Sequence, residues 1–271
     1  MATLEEKRDY YRKVRASNYE ASCRLEGMLP RKQQEEKKLS NYDPKYFDFI
    51  KARVVGVTVP TVDFIPDSEG IISYCARVSS PQNQTNFETA AGLLKYCMKH
   101  HHWSVFDMAN VVIEIDVPRD IARQVLRHSS MKFQEFSQRY AVAQDFIIRE
   151  TRLQDNKNRQ NSFDLDIYKS KEHFDTMLEW ENRQQEVIDL VKKHAAWGLE
   201  QGIAKECVRV IYPEGNTMSY MFTNATLRQV ITYLNVRDDA GVTQKEHVYL
   251  ARAIKPAVIE HFPFLEEMLE K

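Results

Sequence analysis

Glycine is scarce in this chain, with eight among 271 residues. There is no GxGxxG run and no P-loop, so nothing marks a Rossmann or Walker-type phosphate cradle. A pyrophosphate would have to be held by side chains and helix ends. Cysteine is sparse as well. Cys23, Cys75, Cys97 and Cys207 form no CxxC pair, which argues against a zinc or disulfide framework and reads as buried free thiols in a reducing compartment. No apolar run approaches bilayer length, and the N-terminus carries no apolar signal core. The expectation is a cytoplasmic protein that spans no membrane. A formal net charge of −1 leaves no global field to attract a nucleic acid polymer or an anionic membrane.

What is present is an ordinary globular composition, long enough for one large domain or two small ones. Residues 1–45 are rich in Lys, Arg, Glu and Gln. Glu5–Arg24 suits a charged helix, which Gly27-Met28-Leu29-Pro30 breaks. We read 1–45 as a charged helical appendage, either packed on the core or a partner subunit or extended as a solvated arm. Tyr42-Asp43-Pro44 marks a boundary, and 46–271 is read as the main domain.

Within it, Arg53–Val59 is a β-branched run ending at Pro60. In Asn110–Val117, Val111, Ile113 and Ile115 alternate with Val112, Glu114 and Asp116, as in a half-buried strand. Helices are expected at 70–78, 88–99, 118–128, 167–197, 203–212, 227–236 and 244–253. Strands mixed with long helices, without regular βαβ alternation, predict an α+β single domain with a mixed or antiparallel sheet.

Chemistry concentrates between Arg127 and Tyr140. On the helix Pro118–His128, Ile121, Ala122, Val125 and Leu126 form an apolar stripe, while Gln124, Arg127 and His128 share the other face. If 135–139 is extended, Glu135, Ser137 and Arg139 point the same way. Two polar faces would then converge on one small anionic ligand, with Arg123, Arg127, Lys132 and Arg139 as its cations. A surface salt-bridge cluster would use the same residues. Ser137 has no histidine base placed beside it by sequence, so it reads as a ligand for phosphate or nucleotide rather than a nucleophile. His100, His101 and His102 cannot all face one ion, and no ligand set with metal spacing follows, so no metal site is expected. His100 also suits the C-terminal end of a helix. On the helix 227–236, Leu227, Val230, Ile231 and Leu234 make a core stripe. Arg228 and Thr232 border one side of it and Arg237 the other. Arg237 is placed for a ligand, or for an ion pair with Asp238 or Asp239.

The run Arg127-His128, then Phe133–Tyr140, resembles the signature of the flavin-dependent thymidylate synthases, roughly Arg-His-Arg, a spacer, and Gln/Asn-Glu-x-Ser-x-Arg-Tyr. It departs at Ser129, where the family has its second arginine, and at Lys132, where a small hydroxyl residue is usual. Further blocks follow the family's order over about residues 52–260. They are Ala76–Ser79, His102–Asp107 with Asp107 for a glutamate, an insertion at Asp155–Ser162, Arg209–Pro213, and Thr226-Leu227-Arg228 with Thr232, Arg237, Gln244 and Glu246.

The resemblance implies a homotetramer that methylates C5 of dUMP, or acts on a related pyrimidine nucleotide. FAD would be its cofactor, with NADPH and methylenetetrahydrofolate as co-substrates. It implies a substrate site of Gln124, Arg127, Glu135, Phe136, Ser137, Gln138, Arg139, Arg209 and Arg237, with Arg237 catalytic. It implies a flavin site of His102, Ser104, Arg127, His128, Ser129, Ser130, Glu135, Thr226, Leu227, Arg228 and Thr232. The departures leave two alternatives open: a related C5 modification such as hydroxymethylation, or a flavin- or nucleotide-binding homologue without catalysis. Lys132 is expected either to supply part of the charge missing at Ser129 or to point into solvent.

Overall fold

The computed structural model describes residues 46–143 and 145–269. The expectations for 1–45, Cys23 among them, lie outside the described residues. Along the chain run β1 (Lys51–Val57), α1 (Ser68–Ala76), α2 (Ala90–Lys99), β2 (Asn110–Pro118), α3 (Arg119–Val125) and β3 (Lys132–Glu135). They are followed by β4 (Arg152–Gln154), β5 (Ser162–Asp164), α4 (Lys171–Glu200), α5 (Lys205–Val208), β6 (Met218–Thr226), α6 (Leu227–Arg237), α7 (Lys245–Ile259) and α8 (Glu266–Leu269). The described residues form two compact units, 50–147 with 195–269 and 46–49 with 148–194.

The larger unit is built on a sheet of order β1-β2-β6-β3, antiparallel throughout. In β2 the expected alternation holds: Val111, Ile113, Ile115 and Val117 are buried. β6 has the opposite chemistry. Ser219, Met221, Thr223 and Ala225 face inward while Tyr220 and Phe222 are exposed. The strand is recognisable by its partners, not by its own pattern, and no strand was expected there. Helices α6 and α7 cover the inner face, where Val230, Tyr233 and Ile254 meet Ile113, Ile115, Thr223 and Ala225. The expected stripe of α6, Leu227, Val230, Ile231 and Leu234, is buried. Each such aliphatic side chain contributes about 1.5–3 kcal/mol by leaving water.

Three expectations are corrected. The strand over 135–139 is not formed: β3 ends at Glu135, and Gln138–Tyr140 is a turn. Ser137 causes this locally. Its Oγ accepts from the Arg139 N–H at 3.3 Å, and its carbonyl accepts from the Tyr140 and Ala141 N–H groups at 3.1 Å. These bonds replace ladder pairing, so Glu135, Ser137 and Arg139 share no strand face. Second, α3 stops at Val125, leaving Arg127 and His128 in the turn beyond it. Third, among the described residues only Cys97 is a buried thiol; Cys75 is half-buried and Cys207 exposed.

In the smaller unit β4 and β5 form a hairpin. The inserted segment expected at Asp155–Ser162 forms its loop and the first residue of β5. Asp155 closes that loop by accepting from the Lys157 N–H at 2.7 Å and Asn161 Nδ2 at 2.8 Å. Leu165, Phe174 and Met177 make the unit's apolar cluster. Among the described residues no helix is long and apolar enough to cross a membrane.

Candidate active site

Helix α6 organises the site from both ends. β6 runs straight into it, and Thr226 is the N-cap. Its hydroxyl accepts from the Gln229 N–H, while the Gln229 side chain accepts from the Thr226 N–H, a capping box. Asp107 accepts from Thr226 Oγ1 at 2.9 Å and from Arg228 at 3.1 Å. Gln229 Nε2 donates to the Ser130 carbonyl at 2.9 Å, which ties the Ser129–Ser130 turn to the same helix end. Thr232 Oγ1 donates to the Arg228 carbonyl one turn further on.

Asp107 reaches this position because of how α2 ends. The His101 N–H bonds the Met98 carbonyl and the His102 N–H bonds the Cys97 carbonyl. This is a Schellman end, with His101 in the left-handed region at φ 58°. The chain then turns through His102 into a 3₁₀ segment, Trp103–Met108, which packs on α6 and carries Ser104 and Asp107. Ser130, Asp107, Thr226 and Arg228 are thereby joined, with His102, Ser104, Arg127 and Ser129 exposed. Leu227 is fully buried beneath them. Arg127 has no carboxylate partner among the described residues. Hydroxyls and the Arg228 guanidinium at the N-terminus of an eleven-residue helix, with the unpaired Arg127, suit a dinucleotide's pyrophosphate, with no glycine cradle required.

The other end of α6 holds Arg237. Its Nε–H donates to His128 Nε2 at 2.9 Å. Neither expected ion pair forms. Asp238 is taken by Arg252 at 2.7 Å and Lys255 at 2.6 Å, and Asp239 accepts from the Gly241 N–H. Burial, then the Arg237 charge, holds His128 below the ordinary imidazole range, so its Nε2 stays an acceptor. The His128 ring meets Tyr233 edge-on, centroids 4.9 Å apart. Behind it lies His247, fully buried. His247 bonds Tyr233 through Nε2 at 2.9 Å and Gln124 Oε1 through Nδ1 at 3.2 Å. Gln124 Nε2 in turn donates to Gln244 Oε1 at 2.6 Å. Sequence reasoning found Gln124, His128 and Arg237 but missed Tyr233 and His247. The signal was a tyrosine and a histidine on the buried faces of two amphipathic helices.

The remaining candidates spread over neighbouring elements. Glu135 accepts from Ser219 Oγ at 2.8 Å, pairs with Arg123, and lies 3.6 Å from Arg119. Arg123, read above as a phosphate cation, is thus engaged by acids, with Glu214 3.8 Å away. Arg139 pairs with Glu206 at 3.0 Å. Phe136 meets Tyr220 edge-on at 6.2 Å. Arg209 lies half-exposed in the 3₁₀ turn Arg209–Ile211. Gln138 is buried at 6% exposure, and its amide nitrogen has no partner among the described residues. Such an orphan fits a site that a polar ligand completes. Lys132 pairs with Asn224 and is exposed on the sheet face away from α6 and α7.

Residues 61–264 match the family model Thy1, thymidylate synthase complementing protein. A relative described as a probable flavin-dependent thymidylate synthase, from Paramecium bursaria Chlorella virus 1, is 43% identical over 222 residues; the match covers 82% of this chain and 99% of that one. The chain belongs to the flavin-dependent thymidylate synthase family. The family member from Synechocystis sp. is 41% identical over 223 residues, covering 80% of this chain and 98% of its own. Residues 1–41 match a separate model, YhfG. The crystal structure of the UMP/dUMP methylase PolB from Streptomyces cacaoi, bound with 5-Br dUMP, has the same fold. Its TM-score is 0.64 at 20% identity, over 80% of this chain and 93% of that one.

Proposed function

We propose that this protein reductively methylates C5 of dUMP to give dTMP, using FAD, with methylenetetrahydrofolate as carbon donor and NADPH as reductant. Residues 46–271 are its catalytic domain. The observation that carries the reading is α6 itself. One end presents Arg237 without a carboxylate partner among the described residues, and the other presents the hydroxyl and guanidinium set expected for the flavin. Bound flavin supplies the hydride chemistry. Arg127, Ser129, Ser130, Thr226, Arg228 and Thr232, with His102 and Ser104, hold it.

The chain's own residues do the rest. Addition at C6 of a uracil, or hydride delivery near it, builds negative charge on the N3/O4 side. A guanidinium fixed in a partly buried site stabilises that charge most strongly in the transition state. His128, kept neutral, holds the Arg237 Nε and leaves the terminal nitrogens of the fork for the ring. Gln124 and Gln138 supply amide contacts, while Arg139 and Arg209 supply cations for the phosphate. We assign a homotetramer. Its support is the outer face of α4, where Trp180, Val187 and Leu190 are exposed at heptad spacing.

Anaerobic turnover with dUMP, methylenetetrahydrofolate and NADPH, followed by mass analysis of the nucleotide, tests the reading. We expect yellow protein and a product heavier by one CH₂. A product that also gains oxygen would point to hydroxymethylation, and unchanged nucleotide from FAD-loaded protein would remove the catalytic reading.

A further inference from the structure

We propose that His247 and Tyr233 are positioning residues that lock the Gln124 side-chain amide, so that it meets the nucleotide as a hydrogen-bond donor. The proposal rests on the reading that Gln124 faces the nucleotide, and it adds the direction of that contact and the residues that impose it.

Four side chains from three parts of the fold make one continuous path. Tyr233 on α6 bonds His247 on α7 at 2.9 Å, His247 bonds Gln124 on α3 at 3.2 Å, and Gln124 bonds Gln244, the residue before α7, at 2.6 Å. Such a path can be polarised in two directions, because a tyrosine hydroxyl, a neutral imidazole and an amide can each donate or accept. Burial decides between them. Tyr233 is 3% exposed and His247 0% exposed. Among the described residues the Tyr233 hydroxyl has no acceptor other than His247 Nε2. If His247 donated to Tyr233 instead, a buried O–H would be left without a partner, at a cost of about 1–3 kcal/mol. Tyr233 therefore donates.

Each later choice then follows. With Nε2 accepting, neutral His247 carries its hydrogen on Nδ1. That hydrogen meets an oxygen, so the Gln124 carbonyl faces His247. The Gln124 nitrogen gives one hydrogen to Gln244 and keeps the second for the site. Burial, with Arg237 and His128 nearby, also pushes His247 down to about 3, which keeps it neutral at working pH. Gln124 is only half-buried, so its spare N–H has room to reach a ligand. The partner it selects is an acceptor: a pyrimidine carbonyl or a phosphate oxygen, not a donor such as the exocyclic amine of cytosine.

The test uses FAD-loaded full-length protein with two readouts. Nitrogen-15 NMR of the histidine rings reports the tautomer of His247 without any nucleotide. Calorimetric titration with dUMP reports the contact. We expect the Nδ1–H tautomer in the parent. His247→Phe keeps the ring shape and removes both bonds; it should weaken dUMP binding on the order of tenfold, with FAD affinity retained. His247→Asn places an N–H near the former Nδ1 and should restore dUMP affinity to within about threefold of the parent. An Nε2–H tautomer in the parent overturns the lock. So does His247→Phe binding dUMP as tightly as the parent, or both variants losing affinity equally along with thermal stability. A parent that shows the expected tautomer but binds no dUMP overturns the nucleotide reading, and with it the role given to Gln124.

Discussion

Arg237 is followed in sequence by two acids and pairs with neither, because Arg252 and Lys255 hold Asp238 and Asp239 accepts from the Gly241 N–H. Its charge is available at little cost to the fold. Arg237→Ala should therefore leave the melting temperature nearly unchanged and lower kcat on the order of 100-fold or more, the loss expected when a contact made mainly in the transition state is removed. Steady-state turnover checks this, and near-parental kcat would take Arg237 out of the mechanism. His247 gives a pH dependence of defined sign. Its folded-state value, about 3, lies below the ordinary 6.5, so on acidification the unfolded chain takes up this proton first. The stabilisation is complete above about pH 6.5 and is lost as pH falls toward 3, at up to about 1.4 kcal/mol per pH unit. His128 is shifted in the same direction. Urea midpoints measured between about pH 7 and pH 4 should fall steeply in the parent and less steeply in His247→Asn; parallel slopes would show that His247 does not contribute. Arg237 and His128 were picked out in the sequence because they fall in blocks that resemble the family signature. His247 was not, since a histidine on an apolar helix face reads as core until its partners are seen.

At the scale of elements, the start of α6 depends on one carboxylate from another segment. Asp107 receives both Thr226 and Arg228. Arg228 is about half exposed, so that ion pair contributes little to stability. The bond from Thr226 and the geometry it imposes matter more. Asp107→Ala should cost about 1–2 kcal/mol in denaturant unfolding and weaken FAD binding on the order of tenfold by freeing the Arg228 fork, as fluorescence quenching would read. Unaltered FAD affinity would separate Asp107 from the flavin site. The same elements show what a pattern can reveal. β2 and α6 were readable because their apolar residues repeat with the period of a strand and of a helix. β6 was not, although it is central, because its inward positions include Ser219, Thr223 and Ala225 while its aromatics point outward. The turn at Gln138–Tyr140 was missed for a different reason: a single serine hydroxyl and its carbonyl outcompeted an extended conformation that the motif spacing allowed.

For the whole molecule, the apolar stripe on α4 stands out, because its large side chains are exposed among the described residues. Leu190 is 55% exposed and Trp180 50% exposed. If α4 joins the subunits of the proposed tetramer, Leu190→Glu should convert it to smaller species and lower turnover with them, while the far-UV spectrum stays intact. Light scattering after size exclusion gives the mass, and an unchanged tetramer would move the interface elsewhere. The eleven residues of α6 carry a further consequence. Arg228 and Arg237 stand on one rigid rod, so the interval between them is about 13.5 Å at 1.5 Å per residue. Deleting a single residue would shorten that interval by about 1.5 Å and swing one grip roughly 100° around the axis. On the proposed assignment of the two helix ends, the rod would work as a ruler between two ligands. On that assignment, substitutions along α6 should be tolerated better than insertions or deletions within it, whereas residues added to the exposed loop between β4 and β5 should leave both grips in place.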